Sequence, residues 1–589
     1  MEGFLKKHHI PILIFVAIGF FIFLPIINNL NSQILGNMPG TDNAQDGIQF
    51  IWNFWWAKKT CLGLCGDFWN TTYQFFPTGT SLLFQNFSYV NLAVMLPFMF
   101  LGLSPVAAFN ISFILAIILS CVGAYFLVYY LTNSKQAGFI SGLIYGISPF
   151  MIGHIMDGQL DLVSVGFFPL LFLALIKSDE ERNYLYPILA GIISFLLTLA
   201  SPTFIVFAFF ILGFWFIYKL VTERKKYQEI LKKLSVTFIV LIIPFLLFFH
   251  RQLAEINSFD VNGPTKWSSE FSSSDLAAFI TPPRTSFLGQ NIFKTDREIF
   301  NGIYSDKNVY LGFSIITLAI LGIIHQKKNL KLLIPWVILG SLAFILSLGP
   351  KLHIYKKIVA SWMPFGTLEK LPLFSSLRAP SRFSVFVFLS LAVLSGYGFL
   401  FLINKLRAKY LRIITIIGII FLIAFEYFPF YKNTNELKLP NAYKKIQEDK
   451  TDFAILEVPL LWSTGLDNKG TWSPDYLYYQ TIHNKKMPGG YITRTTKETF
   501  ESYKNDPLLN FVFSEQNKLL SPNREAVNTL EKYKVLNTSK ILADNKFKYI
   551  IFHGKEPTEL NNRVKEVLKE NLEMYFEDEK LEIYQFKNK

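Results

Sequence analysis

Long apolar runs separated by short polar connectors fill the first 430 residues. Eleven runs are long enough to cross a bilayer, which takes about 20 apolar residues: about 10–30, 105–131, 136–153, 161–177, 184–200, 202–220, 233–250, 308–325, 331–348, 382–404 and 411–430. A further apolar run at 91–103 is too short to span and reads as an interfacial or re-entrant helix. After residue 431 the pattern changes. Apolar stretches at 452–458 and 548–553 predict buried strands, 524–534 and 561–571 predict helices, and 573–578 with 581–586 predict a closing hairpin. The pattern thus predicts an α-helical polytopic membrane bundle of about eleven transmembrane helices over residues 1–431, with a long first outer loop at 31–104. An α/β domain follows over residues 432–589.

Charge orients this arrangement. With the N-terminus in the cytoplasm, the inside connectors are 132–136, 177–183, 219–233, 325–331 and 404–412. Residues 219–233 alone carry Lys219, Arg224, Lys225, Lys226, Lys232 and Lys233. The net charge of +14 could point to nucleic acid, but its distribution does not. Residues 432–589 hold 25 Lys+Arg against 23 Asp+Glu, and residues 1–431 hold 32 against 20. The excess is a positive-inside topology signal, and no nucleic-acid partner is expected. Alternation then places the C-terminal domain on the extracytoplasmic side of the plasma membrane. Residues 10–30 follow Lys6 and Lys7 without a small-residue cleavage site, so they read as a first span rather than a removable leader. Of three cysteines, Cys121 falls inside a span. Cys61 and Cys65 flank Leu-Gly-Leu in the first outer loop, either as a disulfide or as two thiols, and no His or further Cys stands at zinc spacing.

Three clusters could carry chemistry. In the first outer loop, Asp42 and Asp46 stand four apart after a Pro-Gly turn, which puts them on one face if the stretch is helical. Two close carboxylates either raise one pKa and prepare a base or together bind a divalent cation; a helix cap and a solvated residue are the bland alternative. Trp52 and Trp56 repeat the spacing and suit a membrane interface. The second cluster, His154, Asp157, Gln159 and Asp161, packs into eight residues between two spans, where unpaired polar groups are costly. The third, Arg378 and Arg382, presents forked donors suited to phosphate. Lys351, His353, Lys356 and Lys357 add positive charge nearby. Acids, a His and arginines on one face suit transfer from an anionic lipid carrier held by the apolar bundle. A carboxylate would deprotonate the acceptor hydroxyl, and arginine, with or without a metal, would stabilise the departing phosphate.

An ordered set of short motifs carries a resemblance. It runs from Gln45-Asp46 through Trp52 and Trp56, then Phe75-Phe76-Pro77-Thr78-Gly79, Ser148-Pro149-Phe150 and Gly158-Gln159-Leu160-Asp161. It ends with Leu348-Gly349-Pro350-Lys351-Leu352-His353 and Leu377-Arg378-Ala379-Pro380-Ser381-Arg382-Phe383. Together these resemble the GT-C superfamily of bacterial and archaeal membrane glycosyltransferases. The resemblance implies a catalytic acid in the first extracytoplasmic loop. It also implies inverting transfer from a polyprenyl-phosphate-linked sugar to a glycan, lipid or protein acceptor of the cell envelope. Asp46 occupies the family's acidic position and Asp42 is an additional acid. Many relatives have His where this chain has Gln159, and His154 stands ready to take its place. Two other readings are a lipid or polysaccharide transporter or flippase, and a scaffold whose working part is the C-terminal domain. A transporter calls for mid-span charges and paired halves; the chain has few of the first and none of the second. In the C-terminal domain, Pro488-Gly489-Gly490-Tyr491 with Arg494, Trp462, Trp472, Tyr476, Tyr478 and Tyr479 could stack on sugar rings or form a turn with core aromatics.

Overall fold

The computed structural model describes residues 2–36, 45–259, 268–295, 299–326, 331–375, 377–430, 434–460, 462–464, 468–469, 475–496, 498–499, 505–520, 547–554, 559–578 and 581–587. Asp42, Trp472 and the helix expected at 524–534 lie outside these residues.

The bundle is built from α1 (Glu2–Ile22), α4 (Pro105–Thr132), α5 (Lys135–Gly146), α6 (Pro149–Met156), α7 (Phe167–Glu180), α8 (Leu185–Ala200), α9 (Pro202–Thr222) and α10 (Tyr227–Glu255). It is completed by α12 (Phe313–His325), α13 (Ile334–Ser347), α16 (Ser384–Lys405) and α17 (Lys409–Tyr427). Outside it lie α2 (Gln45–Thr60), α3 (Tyr89–Phe100), the one-turn α11 (Tyr304–Lys307), α14 (Phe365–Leu368) and α15 (Pro372–Ser375). Among the described residues, seven helical segments are long and apolar enough to cross a membrane. The other expected spans fall on shorter apolar helices, as does α3. The protein is a multi-pass membrane protein. The first span begins earlier than expected and turns into a 3-10 helix at Leu24–Asn29.

Ser-Pro pairs start three of these helices, because Pro fits the first helical position and Ser can cap it. The Ser104 hydroxyl accepts from Ala107 N and the Ser148 hydroxyl from Met151 N. At α9 the Ser201 hydroxyl makes no cap and donates to Asp161 instead. Small residues let backbones approach, as membrane interfaces require. A Cβ on Gly398 would lie 1.8 Å from the Leu318 carbonyl oxygen, and one on Gly322 would lie 2.3 Å from that of Leu394. These two glycines bring α12 against α16.

Beyond the bundle, α18 (Asn441–Glu448) and α19 (Asp475–His483) accompany a mixed sheet ordered β12 (Leu572–Glu577), β13 (Leu581–Phe586), β11 (Phe547–His553), β7 (Ala454–Val458). β11 runs parallel to β7 and antiparallel to β13, and β12–β13 is the expected hairpin. The chain does not hold this part at arm's length. β1 (Gln33–Leu35) pairs antiparallel with β6 (Thr434–Glu436). Trp52 Nε1 donates to Gln480 Oε1 at 2.7 Å. Trp52 and Trp56, expected at a membrane interface, are instead buried beneath α19 and stacked on one another. α2 is buried nearly all round, its polar Gln49 and Asn53 included, because the bundle lies on one side and the C-terminal helices on the other. Cys61 and Cys65 form a disulfide just after it.

Candidate functional site

The polar clusters converge at one end of the bundle, opposite the end that carries the basic connectors. Antiparallel helices alternate ends, so the loops before α4, after α6, between α8 and α9, before α12 and before α16 all meet there.

Asp46 opens α2 and is half-buried. What brings it to the second cluster is a contact of backbones. Gly158 has φ +70°, and a Cβ there would lie 2.8 Å from Gly47 N, so no side chain fits between the two loops. Beside this contact, Gln159 Nε2 donates to Asp46 Oδ2 at 3.3 Å. The other carboxylate oxygen accepts from the Tyr491 hydroxyl at 2.8 Å. Gln159 Oε1 in turn accepts from Ser305 Oγ at 3.2 Å and meets His154 Nδ1 at 2.6 Å. An amide oxygen only accepts, so the proton of His154 sits on Nδ1. His154 thus stands behind Gln159 rather than replacing it.

The remaining acids are buried and partnered. Asp161 Oδ2 accepts from Asn86 Nδ2 and from Ser201 Oγ, each at 2.8 Å. Asp157 Oδ2 accepts from Ser305 N at 2.8 Å. Burial, ahead of the nearby Asp306 and Asp46 charges, pushes the Asp157 carboxyl up to about 7. Asp306 Oδ1 accepts from Ser381 Oγ at 2.5 Å, and burial raises its carboxyl too.

Arg378 and Arg382 supply the cationic side. Arg382 Nη1 donates to Thr203 Oγ1 at 2.8 Å, while its Nε is buried without a partner among the described residues. Arg378 is held within the fields of Asp46, Tyr491 and Asp161. Burial, ahead of the Arg382 charge, lowers its guanidinium from the usual value. Lys351 pairs with Glu270 at 2.8 Å, where His353 joins at 3.4 Å, rather than with a member of this layer. Among the described residues no group of three or more His, Cys, Asp or Glu is arranged to hold a metal ion. A cavity of about 520 Å³ lies toward the other end of α2, lined by Trp55, Lys58, Lys59, Tyr478 and Thr481 among others. None of the residues of the three polar clusters lines it.

Asp46, His154, Asp157, Gln159, Asp161, Arg378 and Arg382 lie together at this end, Lys351 stands apart on Glu270, and Asp42 lies outside the described residues. Sequence reasoning did not name Asn86, Ser201, Thr203, Ser305 and Asp306. Ser201-Pro202-Thr203 is as short and polar a connector as the 154–161 cluster, so the same signal was there to read. Tyr491, named in the sequence as part of a sugar platform or a turn, donates its hydroxyl to Asp46. Trp462 and Tyr476 are buried core residues, and Tyr478 borders the cavity.

A family model described as a domain of unknown function (DUF6311) matches residues 12–424. No curated protein matches the sequence. Among solved structures, the arabinofuranosyltransferase AftD from mycobacteria superposes with a TM-score of 0.51 at 12% identity, over 98% of this chain and 40% of AftD. ArnT from Cupriavidus metallidurans gives 0.48 at 11% identity, over 97% of each chain. The oligosaccharyltransferase AglB from Archaeoglobus fulgidus gives 0.44 at 13%, over 97% of this chain and 73% of AglB. At such identities likeness speaks for fold, and with AftD the fold is the GT-C fold that the sequence motifs resemble. The chain spans about two fifths of AftD's length.

Proposed function

Because the chain belongs to the DUF6311 family and carries the GT-C fold, we propose that it is an inverting glycosyltransferase of the cell envelope. It moves a sugar from a polyprenyl-phosphate-linked donor to a glycan, lipid or protein acceptor on the extracytoplasmic face. The observation that supports this most is the setting of Asp46: a half-buried carboxylate with a fixed donor on each oxygen, within the field of Arg378.

In this reading Asp46 takes the proton from the acceptor hydroxyl. The acceptor oxygen attacks the anomeric carbon from the face opposite the phosphate, and the bond from that carbon to the phosphate oxygen breaks. The electron pair leaves on the polyprenyl phosphate, whose charge Arg378 and Arg382 stabilise. The Nε of Arg382, without a partner among the described residues, gives that phosphate a donor. The apolar bundle holds the polyprenyl tail. Two features support the extracytoplasmic face: the basic connectors crowd the opposite end, and the Cys61–Cys65 disulfide belongs in an oxidising compartment.

The experiment uses purified protein with a panel of short-chain polyprenyl-phosphate hexoses and pentoses, reading release of polyprenyl phosphate. Wild-type protein releases it from at least one donor, and Asp46→Asn lowers the rate at least a thousandfold while the protein still inserts and folds. Full activity of that variant would remove Asp46 as the base.

A further inference from the structure

We infer that Tyr491, more than four hundred residues away in the chain, is a positioning residue for Asp46, so that the site is built jointly by the bundle and the C-terminal part of the molecule. The inference rests on the reading of Asp46 as the base, and it concerns what makes that base usable.

A general base must be aimed. Asp46 is held by two donors of different origin: Gln159 from the loop after α6 fixes Oδ2, and Tyr491 fixes Oδ1. Gln159 is itself braced by His154 and Ser305. Tyr491 is braced as firmly, by the first outer loop. Its backbone N donates to Gln74 Oε1 at 2.8 Å, and Thr493 N donates to Gln85 Oε1 at 2.8 Å. Just upstream, Phe75 N donates to Gly489 O and Phe76 N to Met487 O, each at 3.1 Å, and Met487 N donates to Tyr73 O at 3.0 Å. The strand Tyr491 lies on, β10 (Gly490–Ile492), runs parallel to β8 (Trp462–Thr464). A Cβ on Gly490 would lie 2.4 Å from the Phe75 ring, so the turn is seated flush against that loop. A phenol so tethered is a fixed part of the site, not a passing contact.

Its chemistry fits the role. Burial, and after it the Asp46 charge, raises the Tyr491 phenol well above its usual range, so it stays protonated and donates. It therefore orients the carboxylate without competing for the acceptor's proton. A purely structural tyrosine would need neither the hydroxyl nor this partner.

Tyr491→Phe removes the hydroxyl alone. In the polyprenyl-phosphate sugar assay, kcat falls about tenfold to a hundredfold, as for loss of one hydrogen bond to a charged group. KM for the donor holds, and the melting temperature stays within a few degrees. In parallel, labelling with a water-soluble carbodiimide, read by peptide mass spectrometry, modifies Asp46 faster in Tyr491→Phe than in the wild type. Wild-type kcat and an unchanged labelling rate would overturn the inference, and so would a raised kcat, which would mean the phenol obstructs the acceptor. Asp46→Asn run alongside separates the two ideas. If it is inactive while Tyr491→Phe is normal, only the positioning role fails. If it is active, the base assignment fails, and the carbodiimide arm still tests the contact.

Discussion

Asp157 ties the chemistry of single side chains to conditions. Its carboxyl is raised from 3.8 to about 7, first by burial and then by neighbouring acids. An acid with a raised folded-state pKa keeps its proton in the fold and loses it when unfolded. The stability it contributes is complete below about pH 4 and is lost as pH rises to about 7, at up to about 1.4 kcal/mol per pH unit. Asp157→Asn keeps an acceptor for Ser305 N without the titration. Melting temperatures in detergent from pH 4.5 to 7.5 should fall more steeply for the wild type than for this variant; parallel curves would refute the assignment. At this scale the sequence was informative where polar residues crowd a short connector, as at His154 to Asp161, because a membrane boundary tolerates few unpaired groups. It was silent on Asn86 and Asp306, which sit in long loops where polar residues are ordinary and only the fold makes them neighbours.

Between helices, glycine decides the approach. The contact of α12 with α16 closes on Gly322 and Gly398, where a side chain has no room against the facing carbonyls. Gly398→Leu should lower the detergent melting temperature by several degrees, since overpacking costs about 1–3 kcal/mol. Gly418→Leu, with nothing within 4 Å of its Cβ, should leave it nearly unchanged. Equal effects would mean the approach is not limiting. Apolar helices were legible because continuous apolar length is a strong signal, although among the described residues only seven segments are long enough to span. The setting of α2 was not: Trp52 and Trp56 have the composition of an interface belt, and only the packing of α19 turns them into core.

For the whole molecule, orientation is the testable property. Glu573 is exposed on β12, and Glu573→Cys should react with a membrane-impermeant maleimide on intact cells, because the only unpaired native cysteine, Cys121, is buried. Reaction only after lysis would place the C-terminal part in the cytoplasm. The helix-then-sheet change near residue 431 was visible as a shift in composition. The junction of the two parts was not, because pairings such as β1 with β6 join positions about 400 residues apart and leave no local pattern.

That pairing also sets a timetable. Gln33 enters the membrane system early in synthesis, whereas its partner Glu436 follows the last span. At about 5–20 residues per second, the wait is on the order of tens of seconds. Until then Asp46 has only its bundle-side donor, and Tyr491 is still to be made. A ribosome that stops after the last bundle helix, which ends at Tyr427, and before residue 491 leaves a complete bundle with an unfinished site. On the proposed reading, the base is fully aimed only late in the chain's own translation.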